Sequence, residues 1–184
     1  MTETHPEDIF KDEQSEHQTD LLAYVLPNLN LTLWGSVASR LGERVKVRTK
    51  DRIPFLGYTT IILAFYGAVK NWRSTRFWVL ALMVYLALAL GPQLRFNNQL
   101  YPQVPMPYRL VGDLFFIRVL RMPNRFNIFL GLPFGMLAAW GVKALLHGRR
   151  FGQKPVLLIG IIGALILGEY CLAPYRTFRP AVPA

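Results

Sequence analysis

The chain has 184 residues, of which 52% are hydrophobic and only 17% charged, and it carries a formal net charge of +10. Soluble domains carry about a quarter charged residues, so this composition argues against a soluble globular enzyme and for a membrane protein. The single cysteine, Cys171, excludes an internal disulfide and a cysteine-built metal cluster.

The charge is unevenly spread. Residues 1–20 hold seven carboxylates against one lysine, which leaves the other 164 residues with twenty basic side chains against four acidic ones. Polar and without hydrophobic period, residues 1–20 read as an acidic, disordered arm. They lack the basic and apolar regions of a secretory signal, and their histidines and carboxylates show no metal-ligand spacing. Elsewhere the basic residues fall between apolar runs with no nucleic-acid-binding motif beside them. The expected partners are therefore membrane lipids, with no nucleic acid.

Residues 21–53 read as interfacial. DLLAYVLPNLNLTLWGSVASRL is apolar but interrupted by Pro27, Asn28, Asn30 and Gly35, too broken for the ~20-residue helix that crosses a bilayer. A short helix, an extended NLNLTLW stretch and a second short helix capped by Ser36 or Ser39 are expected. Tyr24 and Trp34 suit head-group depth. In GERVKVRTKDR, Arg44, Lys46, Arg48, Lys50 and Arg52 alternate, so a strand would place all five on one face.

Residues 54–174 form the predicted all-α transmembrane domain, followed by a tail at 175–184. Apolar runs at 54–69, 77–91, 126–146 and 155–174 give about four membrane helices, accompanied by interfacial or re-entrant short ones. The first two runs are short and need snorkelling flanks or a thinned bilayer. The basic connections KNWRSTR and HGRRFGQK join the helices as two antiparallel pairs. Between the pairs lies the long loop 92–125. It opens on the helix stop Gly91-Pro92 and passes through YPQVPMP, whose prolines favour extended backbone. An apolar segment at 108–122 follows, until Pro123 ends it and starts the third spanning run.

That segment carries the candidate site. At ~100° per residue, Arg109 and Asp113 share one side of a helix, while Arg118 and Arg121 lie together on the other and Arg125 stands beyond the proline. Every basic position in the stretch is arginine, which suits planar, bidentate binding of phosphate. Arg109, Arg118, Arg121 and Arg125 are the candidate lipid-phosphate ligands, with Asp113 supporting them as a partner of Arg109. Snorkelling arginines that anchor helix ends are the alternative. No metal, cofactor or catalytic residue is expected.

The succession DLLAYVLPN…LWG, PFLGYTTIILAFYGAV, LALGPQL and PMPYRLV…RVLRMPNRFNIFLGLPFGMLAAWG resembles the later, C-terminal part of bacterial GT-C-like polytopic membrane glycosyltransferases, over residues 20–174. The resemblance implies a multi-pass protein of the bacterial plasma membrane that binds a polyprenyl-phosphate-linked sugar, with 20–52 and 92–125 outside the cytoplasm. Counting basic residues gives the opposite orientation, seven on the side of the tight loops against thirteen on the other. In such enzymes the catalytic carboxylate sits in a first extracytoplasmic loop, to which nothing here corresponds. The chain is expected to be the downstream part of a larger protein and not to catalyse glycosyl transfer alone. Asp113 and Glu169 are its only membrane-proximal carboxylates. The competing expectation is a non-enzymatic scaffold or subunit that packs against other membrane helices through Gly131, Gly135, Ala138 and Ala139 of the third apolar run and Gly160, Gly163, Ala164 and Gly168 of the fourth.

Overall fold

A computed structural model describes residues 18–45, 47, 54–111, 114, 122–147 and 155–171. Over these residues the chain is mostly helical, with five α-helices longer than one turn: α1 (Gly35–Arg44), α2 (Tyr58–Lys70), α3 (Trp72–Leu90), α4 (Asn127–Leu146) and α5 (Pro155–Glu169). Leucine- and alanine-rich runs build α2 to α5, and the expected punctuation ends them. Gly91, at φ +79°, closes α3 in a conformation that other residues reach only at a cost. Pro123 opens a 3-10 turn, Pro123–Phe126, whose first position needs no amide donor, and that turn leads directly into α4.

α3 begins five residues ahead of its apolar run. The sequence WRSTR contains no helix breaker, and buried Thr75 turns its hydroxyl back to the Asn71 carbonyl (3.0 Å), sealing the single-residue turn from α2. α3 and the stretch Pro123–Leu146 are long and apolar enough to cross a membrane, whereas α2 and α5, at 13 and 15 residues, are shorter. A core helix of a soluble protein would be mostly buried; only 17% and 33% of these two apolar stretches are.

α2 crosses α4 at Gly67 and Gly141. A Cβ on Gly67 would strike the Leu137 carbonyl and the Gly141 backbone, and one on Gly141 would strike the Leu63 carbonyl. The missing side chains let the two backbones touch. Leu63, Ala64, Phe134, Leu137 and Ala138 bury themselves around the crossing, and Trp78, Val79 and Leu82 of α3 pack alongside. A second core, of Tyr24, Ala89, Leu90, Met106, Tyr108, Phe126 and Leu130, lies where α3 ends and α4 begins.

Several expectations change. Residues 94–101, for which no strand was expected, form a hairpin, β1 (Leu94–Phe96) antiparallel to β2 (Gln99–Tyr101), with Leu94 opposite Tyr101. Asn97 and Asn98 make its two-residue turn at φ +53° and +63°, a conformation asparagine tolerates and one that matches strand twist. The fold is thus helical with a small hairpin, not purely α. Turns replace the extended NLNLTLW stretch. No serine side chain caps α1, since Ser39 Oγ donates to the Ser36 carbonyl instead. Arg44 ends α1, so the five-residue basic face loses its first member; Lys46, Arg48, Lys50 and Arg52 lie outside the described residues. Residues 1–17 of the acidic arm and the tail at 175–184 also lie outside them, while Gln18, Thr19 and Asp20 are buried.

The glycine crossing makes a direct prediction. Gly67→Ala and Gly141→Ala each force α2 and α4 apart and lower stability by about 1–3 kcal/mol, the usual cost of overpacking. Gly135→Ala, where nothing lies within 4 Å of the added carbon, leaves it unchanged. Thermal unfolding of the three variants in one detergent makes the comparison.

Candidate functional site

Residues 18–34 cross one end of the bundle as a strap and bond to a terminus of every helix from α2 to α5. The Thr19 amide donates to the Ala89 carbonyl at the end of α3 (3.4 Å), and the Thr19 hydroxyl accepts from Asn127 Nδ2 at the start of α4 (2.9 Å). Tyr24 OH donates to Asn127 Oδ1 (2.7 Å), and the Tyr24 carbonyl accepts from the Leu56 amide ahead of α2 (3.2 Å). The amide and the hydroxyl of Thr32 both donate to the Cys171 carbonyl just past α5 (2.9 Å each). Asn127 has the chemistry for its position, because its amide both donates and accepts.

Two buried carboxylates complete this capped end. Asp20 accepts from the Leu22 amide (2.9 Å), which caps the 3-10 turn Leu21–Tyr24. It also accepts from the amides of Asn97 (3.3 Å) and Asn98 (2.7 Å), which ties the hairpin turn to the strap. Glu169, at the end of α5, accepts from the Thr59 amide (3.0 Å) and hydroxyl (2.9 Å). It therefore caps the first turn of α2 from a different helix, where the helix dipole favours a negative charge. The site has room only because residue 57 is glycine: a Cβ there would lie 2.8 Å from Glu169 Oε2. Trp34 and Phe55 each pack edge-on against Tyr58, with ring centroids 5.0 and 5.2 Å away.

Of the predicted phosphate ligands, Arg109 and Arg125 are exposed, and both stand at this capped end. Arg109 donates from Nε to the Pro92 carbonyl (2.9 Å) and from Nη2 to the Pro102 carbonyl (3.3 Å), clamping the two flanks of the hairpin. Arg118, Arg121 and Asp113 lie outside the described residues, and so does most of the interfacial helix predicted over 108–122, of which the turn Tyr108–Val111 is described. Arg95, on β1, is a buried cation that the sequence reading did not single out. Asp20, Thr19 and Asn127 were likewise not singled out. Among the described residues no three of His, Cys, Asp and Glu stand together as metal ligands would.

Burial pushes the Tyr24 phenol far above its ordinary range, with a hydrogen bond to Thr19 acting weakly the other way. Burial also raises Tyr108. Tyr170 is raised by burial first and then by the neighbouring Glu169 carboxylate. Chemically, the capped end offers exposed guanidinium groups to an anion, while both of its described carboxylates are held by backbone donors. Comparison with known proteins adds no relative: no protein-family model, curated protein or solved structure matches the chain.

Asp20→Ala leaves three amides without their acceptor and is expected to cost about 1–3 kcal/mol, the penalty for unmet buried donors. Asp20→Asn, which keeps one oxygen, should recover part of that loss in the same unfolding assay. Tyr24 sets an alkaline limit. Its folded pKa lies above the unfolded value of about 10, so the stability it contributes is complete below that pH and is lost as pH rises beyond it. Tyr24→Phe should flatten the alkaline fall in unfolding temperature.

Proposed function

We propose that the chain is an integral, multi-pass protein of the bacterial plasma membrane that holds a polyprenyl-phosphate-linked sugar at its capped end and does not transfer the sugar by itself. The reading starts from the GT-C resemblance. The observation that supports it best is that Arg109 and Arg125, the two ends of the arginine segment, are both exposed, the first bonded to the Pro92 carbonyl just past α3 and the second in the turn that leads into α4. Phosphate bound there is met by planar, always-charged donors at the level where head groups lie. Asp113 lies outside the described residues; among those described, Asp20 and Glu169 each accept two or three hydrogen bonds from backbone and hydroxyl groups. Neither is placed to take a proton from an acceptor.

A non-enzymatic role as a membrane scaffold or subunit has one observation in its favour. Of the small residues on α4 and α5, Gly131, Gly135, Gly160 and Gly163 have nothing within 4 Å of their Cβ positions and leave room for another helix, whereas Ala138 is buried in the core and Gly168 packs against Leu33.

The test is lipid retention. Purified wild-type protein should carry polyprenyl-phosphate sugar through detergent exchange, and Arg118→Ala combined with Arg121→Ala should reduce the amount at least about tenfold, since each charge-assisted bond contributes about 1.5–3 kcal/mol. Equal retention by both proteins favours the scaffold. Orientation has a native probe in Cys171, which is exposed at the capped end and is the one cysteine in the chain. With that end outside the cytoplasm, a membrane-impermeant maleimide labels intact spheroplasts; labelling only after lysis reverses the orientation.

A further inference from the structure

α3 begins, at the end of the bundle away from the strap, with Trp72-Arg73-Ser74-Thr75-Arg76, and both of its arginines are exposed. The two carboxylates whose contacts are described, Asp20 and Glu169, are held at the capped end, so neither pairs with them. The helices do not account for these charges either. Lys70 and Lys143 stand in the last turns of α2 and α4, where a cation complements the helix dipole. Arg73 stands in the first turn of α3, where the dipole favours an anion, and Arg76 follows one turn later. No acidic residue lies in that first turn, and no side chain caps it.

The residues below the arginines select the ligand. At ~100° per residue, Arg73, Arg76, Phe77, Leu80 and Val84 share one side of α3. Phe77 and Leu80 are 65% and 64% exposed, and Val84 is 49% exposed. Thr75, Val79, Leu82 and Leu86 share the opposite side, which is the one packed into the bundle. The outward side is thus an apolar stripe topped by two cations, with exposed Trp72 next to them at the depth that aromatic rings favour in head groups.

We propose that this face of α3 seats an anionic phospholipid, its acyl chains along Phe77, Leu80 and Val84 and its phosphate on Arg73 and Arg76. Planar guanidinium groups match a phosphate, and the fixed order of charge above apolar surface matches a whole phospholipid. An acidic protein segment would meet the arginines and leave the stripe below them uncovered. The proposal rests on the reading of α3 as a membrane crossing and on no part of the sugar assignment.

The experiment places the full chain in nanodiscs of phosphatidylcholine and phosphatidylglycerol in equal parts and counts the lipids it keeps by native mass spectrometry. Wild type is expected to keep phosphatidylglycerol over phosphatidylcholine by about 5-fold for each arginine engaged. Arg73→Gln combined with Arg76→Gln removes that enrichment, and Arg73→Gln alone, which reads a smaller loss, serves should the double variant fail to fold. Lys70→Gln combined with Lys143→Gln, an equal loss of charge at the same end, keeps it. Enrichment that survives loss of the arginines, or that falls equally with the lysines, overturns the site. No enrichment in wild type, with the protein inside the nanodisc, also overturns it and leaves the arginines to an acidic partner. A wild-type chain that does not enter the nanodisc overturns the membrane reading and takes this inference with it.

Discussion

The bond network that closes one end of the bundle depends on Thr19, Tyr24 and Asn127. Helices that are apolar on every side have no preferred rotation or depth of their own, because Leu against Leu is worth much the same in any register. Asn127 removes that freedom. Its side-chain amide spends both functions on the strap, accepting from Tyr24 and donating to Thr19, while the Thr19 amide donates to the Ala89 carbonyl near the end of α3. The start of α4 and the end of α3 are thereby fixed to the same short segment. The close crossing of α2 and α4 at Gly67 and Gly141 then follows as the packing available to helices held at that spacing.

The same end explains how the acidic residues are used. In a chain with so few carboxylates outside its first twenty residues, Asp20 and Glu169 both serve backbone groups that irregular structure would otherwise leave unmet. Asp20 serves the turn of the hairpin, and Glu169 serves the first turn of α2. Both tasks are structural. The cationic side divides differently: Arg95 is buried, Arg109 clamps the flanks of the hairpin while staying exposed, and Arg125 is exposed at the turn into α4.

The apolar helices were legible because long runs of Leu, Ala, Ile and Val, bounded by Gly91, Pro123 and basic turns, leave little choice of structure. Their lengths were less so. The start of α3 moved into WRSTR, which hydropathy alone does not mark as helical and which Thr75 secures only once α2 stands next to it. The hairpin carried a readable signal in its Asn97-Asn98 pair, an αL-tolerant turn, but the triplets beside it, LRF and QLY, are too short and too mixed to mark strands. Asp20 ahead of LLAY is also a recognisable cap. Its second task, receiving the hairpin 77 residues away, has no local trace. The same holds for Glu169, whose partner Thr59 lies 110 positions earlier. Of the candidate site, the arginines stood out by residue type alone, whereas Thr19 and Asn127 could not have: only their bond across 108 positions distinguishes them from other polar residues.

The strap also fixes an order of events. Its residues leave the ribosome before any of the helices they join, yet Thr32 bonds to a carbonyl 139 positions later and Tyr24 to a side chain 103 positions later. Until α5 has emerged, the strap can bond to itself, to α3 and to α4, but the two Thr32 donors lack the Cys171 carbonyl that joins it to the last helix. Closure of the strap is therefore complete only at the end of assembly: a segment made before the helices it joins acts as the clasp, and its last bond forms only when α5 is present.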